Sequence, residues 1–398
     1  MKIFFATLNP CAARMINVQQ HIDFVRNCGH DIVTFPHDAD VIFVWGCEFR
    51  KDWADFTDEI LYDLNKEYHA KVIYMGCTLK TASQDANGIT TIPWKDTKRT
   101  FESILSDTGK SVQNIPMVYA VPPISDNIEE YKKQNPNARV WFEDEYVKVN
   151  ICEGCLEYCT YCSEKLMFPR FRSFPESEIV RQTSEILNNN GGGKVLLLGD
   201  STGDYGKDTG TTIENLINNI IINSDCDPKF GITQLNPQHF LNDKSSMLKF
   251  IDSGVIDYLN LPVQSLSDNI LHDMNRKYNT EQIQQLFQLL KDAEFKNFST
   301  HLLIGFPGET MDDVKKAIEF FGKHKPRHII ASAFMNHPNI KASQFPNQIS
   351  QEAKAYRLNY CKSELAKSGV KVFTDNLSTN NRIMAGIRLN LFERGKIK

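Results

Sequence analysis

Cys155, Cys159 and Cys162 stand in the segment CLEYCTYC, a C-x3-C-x2-C spacing. Three thiolates this close together can bind three irons of one [4Fe–4S] cluster. The fourth iron is then left without a protein ligand and can chelate a small molecule. A zinc knuckle is the competing use of such a loop, but zinc favours four ligands arranged as C-x2-C pairs. Counting Cys152 as the fourth ligand gives C-x2-C-x3-C-x2-C, which is not a usual zinc spacing. Cys152 is read either as a neighbour of the cluster or as an ordinary buried thiol, the second being favoured. The three-cysteine loop points to a catalytic cluster.

A second set lies nearer the start. Cys11, Cys47 and Cys77 each follow a short apolar run: FFATLNPC, FVWGC and IYMGC. Parallel strands bring their carboxyl ends to one rim, so three cysteines at equivalent positions of successive units can converge. One cysteine at a strand end is usually only a small buried apolar residue. Three in equivalent places suggest a second three-cysteine, site-open cluster. Cys28, Cys226 and Cys361 have no partner in any spacing and read as ordinary thiols.

The elements that must position these loops read as α/β. The runs 2–8, 40–45 and 71–75 are rich in Ile, Val and Phe, as buried parallel strands are. Helical patterns over 13–27 and 52–67 separate them. Residues 1–115 are therefore expected to form an N-terminal parallel-sheet α/β domain, and the Pro-rich, polar stretch 116–145 a linker. From 146 to 370 a second alternation runs, with strands expected at 146–151, 194–198, 231–235, 258–261, 299–304 and 328–333. Helices are expected over 175–187, 211–222, 280–293, 311–321 and from 351 to about 368. Six or so strands alternating with helices predict a full or partial (β/α) barrel. The cysteine loop would then follow the first barrel strand, at its carboxyl end.

At these residues the chain resembles the radical-SAM superfamily, whose signature is C-x3-C-x-φ-C, here with Tyr161 as the aromatic. The resemblance implies a partial barrel and S-adenosylmethionine (SAM) chelated by the open iron. Its reductive cleavage would yield a 5'-deoxyadenosyl radical that removes hydrogen from an unactivated C–H. Together with the first cysteine set, the chain resembles the methylthiotransferase family, which modifies tRNA adenosines or a ribosomal protein side chain. Leu198-Gly199 with Tyr205-Gly206-Lys207-Asp208 is similar to that family's LG…YGxD loop, and Pro262–Ser265 with Met274–Tyr278 to its PVQSGSD…MxRxY element. Gly305–Thr310 reproduces its GFPGET, and Thr233–Pro237 is closest to the branch acting on threonylcarbamoyladenosine. The resemblance implies two [4Fe–4S] clusters, the first carrying the sulfur that is delivered. It implies SAM neighbours at Tyr161, Gly199, Asp200, Ser201, Gln264, Arg276 and Gly305, and an electron donor such as flavodoxin or ferredoxin.

The pattern is departed from at Trp45-Gly46-Cys47, Leu266, His301 and Phe168-Pro169. The family's C-terminal TRAM β-barrel, a grip on the macromolecular substrate, is not expected in the short tail 371–398. Basic stretches at 323–328 and 382–398 can touch phosphates, although such runs are usually solvated surface. With 45 Lys+Arg against 49 Asp+Glu, the net charge of -4 gives no overall footprint for nucleic acid. A tRNA nucleoside is the leading substrate expectation, a peptide or protein side chain the next. A non-catalytic iron–sulfur or zinc-binding protein is the reading from another class. No apolar run approaches the roughly 20 residues that span a bilayer. Met1–Leu8, interrupted by Asn9 and Pro10, is too short for an export signal. A cytoplasmic, reducing setting is expected, where ten cysteines do not form a disulfide framework.

Overall fold

A computed structural model of the chain describes residues 1–8, 11–49, 51–78, 83–84, 88–93, 118–123, 128–134, 142–337 and 339–374. The basic stretch 382–398 and the expected tail from 375 onward lie outside the described residues, while residues 372–374 at its start form a strand paired in the barrel sheet. Two compact units result. Among the described residues the first takes 1–145 and 166–168, and the second 146–165 with 169 onward.

The first unit carries strands β1 (Lys2–Thr7), β2 (Asp31–Ile32), β3 (Val41–Cys47), β4 (Lys71–Cys77), β5 (Ser83–Gln84) and β6 (Thr90–Pro93) in the order β2-β1-β3-β4-β6-β5. All these pairs are parallel except β5 with β6. The helices are α1 (Ala12–Asn27) and α2 (Lys51–Glu67). The apolar runs have no polar alternation because both sheet faces are covered. Ile3 and Phe5 pack with Val18, Ile22 and Val25 of α1, while Phe4 and Ala6 pack with Trp53, Phe56, Leu61 and Leu64 of α2. The Phe5 and Phe43 rings stack with centroids 5.2 Å apart. Burying each such ring contributes about 1.5–3 kcal/mol. Within the stretch expected as a linker, β7 (Ala120–Val121) and a helix over Ile128–Gln134 are present.

The second unit pairs its strands in chain order, all parallel: β8 (Tyr146–Asn150), β11 (Lys194–Leu198), β12 (Lys229–Ile232), β13 (Ile256–Asn260), β14 (Phe298–Ile304), β15 (His328–Ala333) and β16 (Val372–Thr374). Helices over Glu176–Asn189, Ile213–Ile222, Thr280–Asp292, Met311–His324 and Gln351–Lys367 alternate with them. Parallel pairing in chain order with intervening helices is barrel construction. Among the described residues β8 and β16 do not pair with each other, so the barrel is partial, as expected. A two-residue antiparallel pair, β9 (Cys152–Glu153) with β10 (Arg172–Ser173), brackets the cysteine loop.

Local signals set these boundaries. Thr310, the last residue of GFPGET, caps the helix Met311–His324: its hydroxyl accepts from the Asp313 N–H and the Asp313 carboxylate accepts from its own N–H. Helices over Pro237–Asn242 and Lys244–Asp252 are additional to the sequence expectation, and they start at the side-chain caps Asn236 and Asp243.

Candidate functional site

The loop from Cys152 to Glu164 is fastened from two sides by hydrogen bonds. The first fastening is the loop after β11. The Asp200 carboxylate accepts from the Gly154 N–H at 2.8 Å, Asp204 from the Leu156 N–H at 3.0 Å, and Asp208 from the Ser173 N–H at 2.9 Å. Asp204 is fully buried and also meets Lys207 at 2.7 Å and His239 at 3.2 Å. Burial works against its charge. The bonds from His239, Lys207 and the Leu156 N–H outweigh it and hold the carboxyl well below the usual carboxylate range.

The second fastening is the segment after Ile270. Asn275 donates to the Tyr158 carbonyl at 2.8 Å, the Thr160 N–H donates to the Met274 carbonyl at 3.1 Å, and the Thr160 hydroxyl donates to the Asp273 carbonyl at 2.7 Å. Arg276 donates from Nη1 to the Cys159 sulfur at 3.3 Å. Its Nε donates to the Tyr278 hydroxyl at 2.7 Å and its Nη2 to the Pro262 carbonyl at 3.1 Å.

All three sulfurs of the loop accept hydrogen bonds. Glu157 N–H points at Cys155 Sγ at 3.3 Å and Glu164 N–H at Cys162 Sγ at 3.4 Å. Burial pushes the Cys155 thiol up to about 12 and also raises that of Cys162, so both stay protonated unless a metal takes the sulfur. Donors aimed at sulfur are what thiolate ligands of a cluster need, and they tune it. The residues therefore fit a three-thiolate cluster. Among the described residues no three His, Cys, Asp or Glu side chains are close enough to share one metal ion. A cubane asks for less, because each sulfur goes to a different iron.

The other expected site residues take the following places. Tyr161 is partly buried against Ile270, Met274, Phe306 and Phe334. Gly199 lies under Cys152, whose sulfur would be 2.5 Å from a Cβ there. The Ser201 carbonyl accepts from the buried Cys152 thiol at 3.3 Å, and its side chain hydrogen-bonds Cys155. Gln264 has φ +70°, a left-handed conformation that costs a side-chain residue energy and that clusters at functional sites. Its backbone bridges to β14, accepting from Leu303 N–H and donating to His301, both at 2.9 Å. Gly305 N–H donates to the Glu309 carboxylate at 2.8 Å. Burial brings His301 down to about 4, so it is neutral at physiological pH. Sequence reasoning missed Asp204, Thr160 and Asn275 as holders of the loop. Their signal was present as aspartates spaced four apart after β11 and as the MNRKY segment itself.

In the first unit the other three cysteines also stand at carboxyl ends. Cys47 and Cys77 are register partners at the ends of β3 and β4. Cys11 follows β1, the strand on the other side of β3, as the N-cap of α1. The residue before each strand-end cysteine is glycine for steric reasons. A Cβ on Gly46 would meet the Tyr74 ring at 2.6 Å, and one on Gly76 would meet the Gly46 carbonyl at the same distance. Tyr74 uses that room to donate to the buried Glu48 at 3.0 Å. Met167 and Phe168, which count with this unit, pack with Cys47 and Cys77, and the Arg14 guanidinium sits 4.3 Å from the Phe168 ring centroid. Phe168, one of the positions that depart from the family pattern, is thus a packing residue.

The Radical SAM superfamily profile matches residues 149–321. A ribosomal protein uS12 methylthiotransferase, RimO, of Protochlamydia amoebophila is 26% identical over 388 residues, covering 93% of this chain and 78% of that protein. A probable threonylcarbamoyladenosine tRNA methylthiotransferase of Methanocaldococcus jannaschii is 25% identical over 334 residues, covering 80% and 73%. Among solved structures, the radical SAM methyltransferase TsrM of Kitasatospora setae superposes with a TM-score of 0.59 at 10% identity, covering 97% of this chain and 96% of that one. The cobalamin-dependent radical SAM enzyme OxsB gives 0.53 at 11% identity, covering 98% and 60%. The last two likenesses are of fold.

Proposed function

The chain is a radical SAM enzyme related to the methylthiotransferases, and from that premise we propose that it inserts a methylthio group at an unactivated C–H bond, with a tRNA adenosine-type nucleoside as substrate. The observation that carries the reading is the pairing of two cysteine sets in one chain. One is a C-x3-C-x2-C loop with a donor at every sulfur, and the other is three cysteines at the carboxyl ends of adjacent parallel strands. A single cluster would leave a radical generator with no sulfur to deliver.

In this proposal Cys155, Cys159 and Cys162 hold the cluster that engages SAM, and Cys11, Cys47 and Cys77 hold the sulfur-carrying one. A cluster held by Cys155, Cys159 and Cys162 would supply the single electron for reductive cleavage of SAM, and with it the radical that takes hydrogen from substrate. The chain's own contribution is positional. Asp200 and Asp204 fix the loop backbone, Tyr161 and the strained Gln264 are proposed to meet SAM, and His301 stands neutral. The reductant is exogenous, of flavodoxin or ferredoxin type, and a cytoplasmic setting suits exposed and half-buried thiols. Among the described residues no helix is long and apolar enough to cross a membrane.

The similarity to a uS12-modifying enzyme over 93% of the chain supports a second reading, a protein side chain as substrate. The test is to incubate anaerobically reconstituted protein with SAM, reductant, sulfide and bulk tRNA and to analyse nucleosides by mass spectrometry. A 2-methylthio nucleoside is expected. Its absence while 5'-deoxyadenosine forms would move the assignment to a peptide.

A further inference from the structure

Arg276 is held more tightly than a residue awaiting a ligand needs to be. Its guanidinium is fixed by the Tyr278 hydroxyl on Nε and by the Pro262 carbonyl on Nη2, and its cation lies 4.9 Å from the Tyr278 ring centroid. The Tyr278 hydroxyl is itself anchored on the Pro262 and Val263 carbonyls at 3.2 and 3.0 Å. With those two directions occupied, the planar fork directs Nη1 to Cys159 Sγ at 3.3 Å. No ion pair with a carboxylate joins Arg276 among the described residues. The sulfur is the group its charge faces.

The neighbouring bonds keep this geometry from drifting. Thr160, next to Cys159, is tied to Asp273 and Met274, and Asn275 is tied to Tyr158. Donor and acceptor therefore sit on two backbone segments bound together on either side of the contact. The contacts of Cys155 and Cys162 come from backbone amides of the loop itself and, at Cys155, from the Ser201 side chain, and carry no net charge. Cys159 alone among the three has a cationic side chain on its sulfur within these bonds.

We propose that Arg276 is a positioning residue that sets the reduction potential of the cluster on Cys155, Cys159 and Cys162, by donating a charge-assisted hydrogen bond to the Cys159 sulfur. A donor and a positive charge at a ligand sulfur favour the state with one more electron. The step is a one-electron reduction by an exogenous low-potential reductant; no bond or proton changes place on the protein. The inference rests on reading Cys159 as an iron ligand, and it departs from the expectation that Arg276 is chiefly a SAM contact.

The experiment is an EPR-monitored redox titration of reconstituted full-length protein without SAM. The relevant signal is identified in a parallel sample as the one that added SAM perturbs. Arg276→Gln is expected to load iron as the wild type does and to show about tenfold less reduced cluster at the same poise, about 59 mV for a one-electron couple. Arg276→Lys keeps the charge and loses the fork, and should fall between the two. A fully loaded Arg276→Gln with the wild-type midpoint overturns the proposal. If Arg276→Gln does not load, Arg276→Lys decides; loss of the cluster in both assigns Arg276 to loop integrity alone and likewise overturns it. A wild-type protein that forms no SAM-sensitive cluster would instead sink the functional reading beneath it.

Discussion

Cys47 and Cys77 are register partners, side by side at the last position of two adjacent parallel strands. Strand neighbours lie about 4.8 Å apart, so neither cysteine can be moved without disturbing the other's strand. Cys11 follows β1, the strand on the other side of β3 from β4, as the N-cap of α1.

If a second cluster sits on these cysteines as proposed, replacing Cys47 or Cys77 by Ala should remove it and spare the other. Iron is expected to fall from about eight to about four per chain, since each cubane holds four. Formation of 5'-deoxyadenosine should persist while methylthiolation is lost. Methylthiolation by either variant would refute the sulfur-carrying role.

Asp204 gives a test of the loop fastening. Asp204→Asn cannot serve the Leu156 N–H, Lys207 and His239 as the carboxylate does. The variant should lose about 1–3 kcal/mol, the cost of poorly satisfied buried donors, read by urea unfolding at neutral pH. The sign in acid follows from a carboxyl held below its usual value. The stabilisation is present above about 3.9, the unfolded value, and is lost as pH falls through the lower folded value. The wild-type advantage over Asp204→Asn should then shrink on acidification; an unchanged gap would show that the carboxylate charge is not what holds the loop.

Glu309 should behave in the opposite sense. Its carboxylate accepts from Gly305 N–H at 2.8 Å and from Arg357 at 3.1 Å, yet burial pushes it up to about 7. A raised carboxyl favours the protonated folded form. Its contribution is thus greatest below about 4.3, the unfolded value, and declines as pH rises to about 7. Glu309→Gln should flatten stability across that window relative to wild type, as followed by thermal unfolding. Equal slopes would mean that Arg357 keeps the group ionised throughout.

Much of the fold was legible in the sequence because its strands are written as local apolar runs. The runs KIFFAT, VIFVWGC and KVIYMGC are continuous because both sheet faces are covered, and the barrel strands from Tyr146 to Ala333 fell where apolar runs ended at turns. What sequence reasoning could not supply was direction. Asp200 and Ser201 read as SAM neighbours from their loop, and in the structure Asp200 bonds Gly154 while Ser201 bonds Cys152 and Cys155. Gly199 likewise accommodates the Cys152 sulfur. Which way a carboxylate points is decided by residues tens of positions away, and no period or spacing carries that. β16 and the helix Pro237–Asn242 were missed for a simpler reason: at three and six residues they are shorter than any periodic signal.

The fastening of the cysteine loop bears on how the centre is assembled. In small zinc domains the metal has to order the chain that binds it. Here the backbone at Gly154, Leu156, Tyr158 and Thr160 is secured by protein groups alone. On the proposed reading, iron and sulfide delivered to this loop would meet a backbone that protein hydrogen bonds hold, and a cluster lost to oxygen would be replaced without the domain having to unfold and fold again.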